Sequence, residues 1–349
     1  MRRLAIKWDP VVVDSDGRVG GHDAGATLVR RLLRLRADPI LIGPGPRRGD
    51  GFEVMPLEFV DTDSTVVINM DVLDSTKVWR VLREHGEHPA VMNFQWGPTT
   101  TYADQVPQLV EALSFAIFPT FANSERTASA VRETVNRWTV RDVAAKARIG
   151  WANLGFTVEH VRPRHHTAIP VVLYPAIYLS DRKRPRLFLD VVEQVHRQLP
   201  LRVSMRLHES HLVSELAMNL SQKDWYWVGP LTATRVSYWE ALAGTTAFLA
   251  TAVEESYGLE YVEAMAAGVI GILPDAPWAR ALVPEGYPFL WSSPDQAVAL
   301  LKRALTDPEG CTAELNDLAD GDFTAWIAGR HDDTSFEDSL TERLNEWFD

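Results

Sequence analysis

The sequence predicts an α/β protein built from two doubly wound domains, and three observations carry that expectation. Short β-type runs alternate with helical stripes along most of the chain, which is the pattern of parallel layered sheets. The chain has 349 residues, whereas a single core rarely grows past about 250. Near its middle lies a polar, proline-bounded stretch, Val161-Arg-Pro-Arg-His-His-Thr-Ala-Ile-Pro170, which reads as a connection between domains.

In the first half the β runs are Leu4–Lys7, Pro39–Ile42, Val66–Met70, Ala90–Gln95 and Phe115–Pro119. The first helix carries an apolar stripe of Leu28, Val29, Leu32, Leu33 and Leu35, with Arg30, Arg31 and Arg34 turned away. In the second half the strands are Val171–Tyr174, Leu201–Met205, Trp225–Gly229, Ala247–Ala250, Val269–Leu273 and Pro288–Trp291. Helices fall between them at Pro185–Gln198, with Pro at a favourable first position, Val236–Ala243, Glu260–Ala267 and Asp295–Leu305. The last segment, Ser335–Phe348, is an amphipathic helix with Phe336, Leu340, Leu344 and Trp347 on one face and Ser335 and Asp338 placed to cap it. The expected organisation is therefore a domain over 1–160, a linker over 161–170, a second domain over 171–330 and a terminal helix over 331–349. Ligands of such sheets bind beyond the carboxyl ends of the strands, here expected in the cleft between the domains.

Composition removes several classes of function. With 35 basic and 47 acidic residues the formal charge is −12, which argues against a broad nucleic-acid surface while allowing a local basic pocket for phosphate. The one cysteine, Cys311, excludes an internal disulfide framework and a multi-cysteine metal site. No apolar run approaches the ~18 residues of a spanning helix, and the N-terminus lacks a leader-like apolar run, so a cytoplasmic location is expected. The elbow of α/β-hydrolases, the dinucleotide fingerprint and the Walker A motif are all missing. Asp14-Ser-Asp16 and Asp61-Thr-Asp63 read as turn caps rather than metal ligands. His165-His166 and the trio His208, Glu209, His211 have no metal-site spacing. The Arg30, Arg31, Arg34 and Arg36 strip fits a solvated helix face, with a membrane contact as the less common reading.

The most informative stretch is Ala250-Thr-Ala-Val-Glu-Glu-Ser-Tyr-Gly-Leu-Glu-Tyr-Val-Glu-Ala-Met-Ala-Ala-Gly268. A buried strand ends near Thr251, a polar loop follows, and a helix starts around Gly258-Leu259 and closes at Gly268. The helix is small or apolar from Val262 to Ala267 except for Glu263, and a buried carboxylate needs hydrogen-bond donors. Glu255 stands eight positions earlier, and the amides from Ser256 to Leu259 form an anion-favouring helix head between the two acids. A diphosphate flanked by hydroxyl-rich groups fits this set. So does a solvated loop glutamate followed by an ordinary helix-face glutamate.

Glu255-Ser-Tyr-Gly-Leu-Glu-Tyr-Val-Glu263-Ala-Met-Ala-Ala-Gly resembles the E-x7-E signature of retaining nucleotide-sugar glycosyltransferases of family 4, with Tyr257 in the usual Phe place. The resemblance implies a GT-B fold, two Rossmann-like domains facing a cleft, with the last helix crossing back to the first. It also implies that Glu263 binds the donor ribose, that Glu255 contacts the donor sugar, and that amides around Ser256, Tyr257, Gly258 and Leu259 meet sugar hydroxyls and diphosphate. A Gly-Gly loop after the first strand, here Gly20-Gly21 followed by His22, is implied to reach the diphosphate from the other domain. Lys183 occupies the place of the family's diphosphate-clamp lysine. The clamp arginine expected upstream is absent, since Ile177 and Tyr178 stand there, and Arg182 is the candidate substitute. Where the family commonly has a sugar-contacting His, this chain offers Asn93 or Gln95 to hydrogen-bond, or Trp96 to stack on a sugar face.

The implied activity is transfer of a hexose-type sugar from a nucleotide diphosphate sugar to an unidentified acceptor, with retention, by front-face attack, and with no metal or other cofactor. An epimerase or hydrolase on the same scaffold, or a nucleotide-binding module without catalysis, are the alternatives.

Overall fold

The computed structural model describes residues 2–21, 23–99, 104–231 and 235–349, and the chain forms two compact units. Unit one comprises Met1–Leu154 and Thr334–Asp349, and unit two comprises Gly155–Asp333.

In unit one the strands are β1 (Arg3–Lys7), β2 (Ile40–Ile42), β3 (Arg47–Arg48), β4 (Glu53–Met55), β5 (Thr65–Asn69), β6 (Ala90–Gln95), β7 (Thr120–Ala122) and β8 (Ile149–Trp151). They lie in the order β3-β4-β2-β1-β5-β6-β7-β8, parallel throughout except for the antiparallel β3–β4 pair. Every residue of β5 and β6 is buried, as expected of strands covered by helices on both faces. The covering helices are α1 (Ala24–Leu32), α2 (Ser75–Arg83), α3 (Gln105–Ile117), α4 (Glu125–Trp138) and the short α5 (Arg141–Ala144).

Unit two has β9 (Val171–Tyr174), β10 (Arg202–Leu207), β11 (Tyr226–Pro230), β12 (Ala247–Leu249), β13 (Ile270–Pro274) and β14 (Leu290–Trp291), all parallel, in the order β11-β10-β9-β12-β13-β14. Its helices are α6 (Pro185–His196), α7 (Glu209–Leu212), α8 (Glu215–Ser221), α9 (Arg235–Ala243), α10 (Leu259–Ala266), α11 (Pro277–Arg280), α12 (Pro294–Thr306), α13 (Pro308–Leu318) and α14 (Phe323–Arg330). The last helix, α15 (Asp333–Phe348), buries Phe336, Leu340 and Leu344 within unit one. It begins at Asp333, so Ser335 lies inside its first turn rather than at its cap.

Four sequence readings need correction. Phe115–Pro119 is not a strand: Phe115, Ala116 and Ile117 are the last residues of α3, and the strand is Thr120–Ala122. The misreading has a physical cause, because α3 is apolar on its outward face as well, with Val106, Leu113 and Ile117 exposed, so no polar periodicity marks it. Second, the Arg-rich strip over 30–36, which runs past the end of α1, is not one solvated face. Arg31 is buried, its guanidinium 4.2 Å from the Phe336 ring centroid and 3.6 Å from the Glu337 carboxylate. Arg30 donates to the carbonyls of Val19 (3.0 Å) and Gly21 (2.8 Å), and Arg36 donates to the Arg2 carbonyl (2.7 Å) and Asn345 Oδ1 (2.5 Å). Of the four arginines only Arg34 is exposed.

Third, the division between units falls at Leu154/Gly155 rather than at 160. Fourth, residues 161–170 are not a free linker. The His165 amide donates to the Ala243 carbonyl (3.2 Å), and the Arg164 guanidinium to the carbonyls of Leu242 (3.3 Å) and Thr245. Phe156 bridges to Asp332, so the two stretches where unit two begins and ends run side by side. Among the described residues no helix is long and apolar enough to cross a membrane.

Phe336 touches Phe94, Phe121 and Arg31, so Phe336→Ala should remove roughly 3–5 kcal/mol from unit one in a urea titration. A loss below about 1 kcal/mol would show that the terminal helix is not part of that core.

Candidate functional site

In unit two the strand order reverses between β9 and β12. From β9 the chain moves outward to β10 and β11, then returns to pair β12 on the other side of β9. Loops leaving adjacent strands in opposite directions open a crevice beyond their carboxyl ends, where ligands of doubly wound sheets bind. The loops that leave β9 and β12 are those carrying Lys183 and Glu255.

The loop after β9 closes in a single 3-10 turn, Asp181–Lys183, followed by Arg184 in the left-handed region at φ 49° and Pro185 at the head of α6. Two bonds latch this turn to the loop after β12. The Val253 amide donates to the Arg182 carbonyl (2.9 Å), and the buried Thr251 hydroxyl donates to the carbonyls of Lys183 (2.7 Å) and Arg184 (3.2 Å). With its backbone fixed, Lys183 extends to the head of α10. There its ammonium pairs with Glu255 and lies 3.4 Å from Glu260 Oε1. The Tyr261 hydroxyl donates to Glu255 Oε1 at 2.6 Å. Arg182 lies 3.7 Å from Glu254 and remains half exposed, so the candidate substitute for the missing arginine already has an acidic neighbour.

Burial alone would lower the Lys183 pKa, but Glu260 and Glu255 outweigh it and hold the ammonium above its ordinary value. Glu255 is pushed upward by burial and by Glu260, against the pull of Lys183 and Tyr261. The two directions agree once the three groups are taken together. Two carboxylates and one ammonium carry one net negative charge in a poorly hydrated place, which raises the proton affinity of both Lys183 and Glu255.

Helix α10 starts at Gly258, whose φ of 97° suits glycine, and no side chain caps it. A Cβ there would lie 2.5 Å from the Tyr261 ring. The first amides of a helix have no intrahelical acceptor, and a helix head favours anions. Glu263 is buried, 4% exposed, in a helix whose Val262, Ala264 and Met265 are fully covered. Gly268, at φ 76°, ends the helix, its amide donating to the Met265 carbonyl at 2.9 Å. Glu255, Lys183, Ser256, Tyr257, Gly258, Leu259 and Glu263 therefore all lie along this loop, its facing turn and the first turns of α10. The Tyr257 side chain is turned into the core, where its hydroxyl bonds His331 Nδ1, leaving the backbone for any ligand contact. Burial, with Arg330 nearby, lowers the His331 pKa to about 4.

Sequence reasoning missed Glu260, Tyr261 and Thr251. All three lie inside the stretch it singled out, but Tyr261 and Thr251 look like packing residues until the fold brings Lys183 beside them.

Unit one has the same topological feature between β1 and β5. The buried Lys7 ammonium at the end of β1 bonds Asp74 (2.7 Å) and Asp9 (2.9 Å), carboxylates that outweigh burial and raise its pKa. The Asn69 amide donates to Asp74 (2.7 Å) and Ser75 Oγ (2.8 Å), and the Ser75 hydroxyl donates to Asn93 Oδ1 (2.6 Å). Asn93 also donates to the Ser114 carbonyl (3.3 Å) and to Thr120 Oγ1 (3.1 Å), and it is fully buried. Its expected role as a sugar contact is therefore corrected: its polar atoms tie strand ends together. Gln95 is also buried and donates to the Gly97 carbonyl at 2.7 Å. Trp96 is half-buried, its ring edge-on to Trp8 at 5.2 Å and its indole N–H bonded to the Met70 carbonyl at 3.3 Å. Gly20 donates to the Val12 carbonyl (2.8 Å), and Gly21 adopts φ 85° before Asp23 caps α1; His22 lies outside the described residues. The Asp14 and Asp61 carboxylates accept from nearby amides, as turn caps do. Among the described residues no three His, Cys, Asp or Glu side chains gather as a metal would need.

No protein-family profile matches the chain, and neither does any curated protein. Solved structures do. Sucrose-phosphate synthase from Thermosynechococcus elongatus is similar with a TM-score of 0.71 at 12% identity, covering 100% of this chain and 99% of that one. HepE from Anabaena in complex with UDP is similar with a TM-score of 0.71 at 16% identity, covering 99% and 100%. An α,α-trehalose-phosphate synthase (UDP-forming) from Burkholderia vietnamiensis gives 0.68 at 12% identity, covering 99% of each chain. The fold is GT-B. These structural neighbours are glycosyltransferases, and at such identities the likeness speaks for the fold alone.

Two outcomes test the local geometry. Gly258→Ala should cost about 1–3 kcal/mol in chemical denaturation, because the left-handed φ strains it and the Tyr261 ring must move. His331 is held neutral, with a folded pKa below its unfolded value, so its contribution is present above pH 6.5 and is lost as pH falls towards 4. Wild-type stability should drop by roughly 3 kcal/mol more than that of His331→Gln over that range, read from urea midpoints at each pH.

Proposed function

We propose that this chain is a glycosyltransferase that moves a sugar from a nucleotide diphosphate sugar to an acceptor with retention of configuration. The observation that carries this reading is the meeting of Lys183, Glu255 and the uncapped head of α10 beyond the carboxyl ends of β9 and β12. The E-x7-E resemblance supports it, since it assigns donor roles to the same residues. So do the neighbours, among which HepE is in complex with UDP-glucose and the trehalose-phosphate synthase is UDP-forming.

In this reading Glu263 accepts from the ribose hydroxyls and Glu255 from hydroxyls of the donor sugar. The amides from Ser256 to Leu259 meet the sugar and the diphosphate. As the bond from the anomeric carbon to the diphosphate breaks, negative charge builds on the departing phosphate oxygen. Lys183 and the helix head stabilise that charge, which lowers the barrier because the stabilisation grows as the bond breaks. The acceptor hydroxyl attacks from the face the leaving group vacates and gives its proton to a departing phosphate oxygen, so neither a protein nucleophile nor a metal takes part. The protein acts in the cytoplasm.

Lys183→Ala should lower kcat for UDP- or GDP-sugar turnover by about 10²–10³-fold. Glu263→Gln should weaken nucleoside diphosphate binding by about 10-fold, with melting temperatures checked for both. Identifying a glycosylated product, rather than free sugar or an epimer, separates transfer from hydrolysis and epimerisation. Turnover by both variants at the wild-type rate would overturn the site assignment, and a wild type that binds nucleoside diphosphate without turnover would favour a binding module.

A further inference from the structure

We infer that Glu260 is a positioning residue that competes with the donor's diphosphate for Lys183, and so sets how loosely the nucleoside diphosphate is held. The inference rests on the donor reading above. Lys183 has two acidic partners that differ in kind. Glu255 is 12% exposed at its side chain and anchored by the Tyr261 hydroxyl, so it stays in place. Glu260 is 37% exposed, and among the described residues Lys183 is the one cation its carboxylate meets. Of the two, Glu260 is the partner that can leave.

Its position sharpens the competition. Glu260 is the second residue of α10, in the first turn, where a carboxylate also gains from the helix dipole. One side chain thus occupies both attractions a diphosphate would use, the ammonium and the helix head. With Glu260 ionised the trio of Lys183, Glu255 and Glu260 carries one net negative charge; with glutamine at 260 it is neutral and keeps its shape. An incoming diphosphate must take Lys183 from Glu260, and on departure the carboxylate takes the lysine back. Glu260 therefore speeds release of the product at the expense of its affinity.

Isothermal titration of UDP, GDP, ADP and TDP, with uridine, guanosine, adenosine and thymidine as uncharged controls, tests this on the full chain. Glu260→Gln should tighten the preferred nucleoside diphosphate by about 10-fold and leave its nucleoside unchanged, because only the charged part meets Lys183. Glu260→Asp, which restores the charge, should bind within about 2-fold of wild type, and the gain should shrink below about 2-fold when Glu260→Gln is combined with Lys183→Ala. An unchanged affinity in Glu260→Gln, an equal gain for the nucleoside, or a full gain without Lys183 each overturns the inference while leaving the donor reading standing. A wild type that binds none of the four diphosphates overturns both.

Discussion

An ammonium as covered as that of Lys183 stays charged only while anions stand beside it, and that requirement organises unit two beyond the lysine itself. Lys183 holds Glu255, Glu255 accepts from the Tyr261 hydroxyl, and the Tyr261 ring closes over Gly258. A Cβ at Gly258 would press on that ring, so glycine is favoured at the N-cap of α10, and its left-handed φ aims the helix. The helix so aimed carries Glu263 into the interior. The ion pair, the aromatic ring, the glycine and the buried acid are consecutive consequences of two loops meeting where the strand order reverses.

Unit one meets the same topological condition with a different chemical outcome. At the ends of β1 and β5 a buried lysine again faces two carboxylates, but Asn69, Ser75 and Asn93 close the arrangement into a network that satisfies its own donors and acceptors. A polar group already bonded inside the protein has little to gain from a ligand, since binding would exchange one hydrogen bond for another. A shared fold therefore does not make the two switch points equivalent. What separates them is that in unit one Asn69 and Ser75 tie Asp74 and Asn93 into one network, whereas in unit two Lys183 shares its second carboxylate, Glu260, with no such network at the head of α10 among the described residues.

Much of this was legible in the sequence because parallel strands buried on both faces are long apolar runs, and helix ends are marked by Pro, Gly and capping residues. All six unit-two strands formed within two residues of their expected positions, as did the stop of α10 at Gly268. The strands β3 and β4, two and three residues long, were too short to leave a period. The identity of Arg31 as a core residue was invisible for another reason: what covers it is Phe336, some three hundred positions away, and nothing near Arg31 announces a partner. The same limit explains Asn93. Its place at a strand end suggested a ligand, while the serines and threonine that consume its polar atoms come from three other elements. Local pattern fixes elements and their caps; which polar group is left for chemistry depends on contacts made only after the sheet has assembled.

A chain of net charge −12 and the proposed site for an anion are compatible because charge acts locally. At physiological ionic strength exposed charges are screened beyond about 8 Å, so a phosphate at the head of α10 responds to Lys183, the helix amides and the adjacent glutamates, not to the distant surface. Those glutamates matter as much as the lysine. A cation already shared by two carboxylates gives a bare anion little net attraction, and inorganic phosphate gains less there than it would on an unpaired lysine. A ligand that brings charge for the ammonium and hydroxyl donors for the carboxylates compensates both sides of the exchange at once, and a nucleotide sugar has that composition. The pairing that weakens the site for simple anions is thus the same pairing that would let it discriminate in favour of a diphosphate joined to sugars.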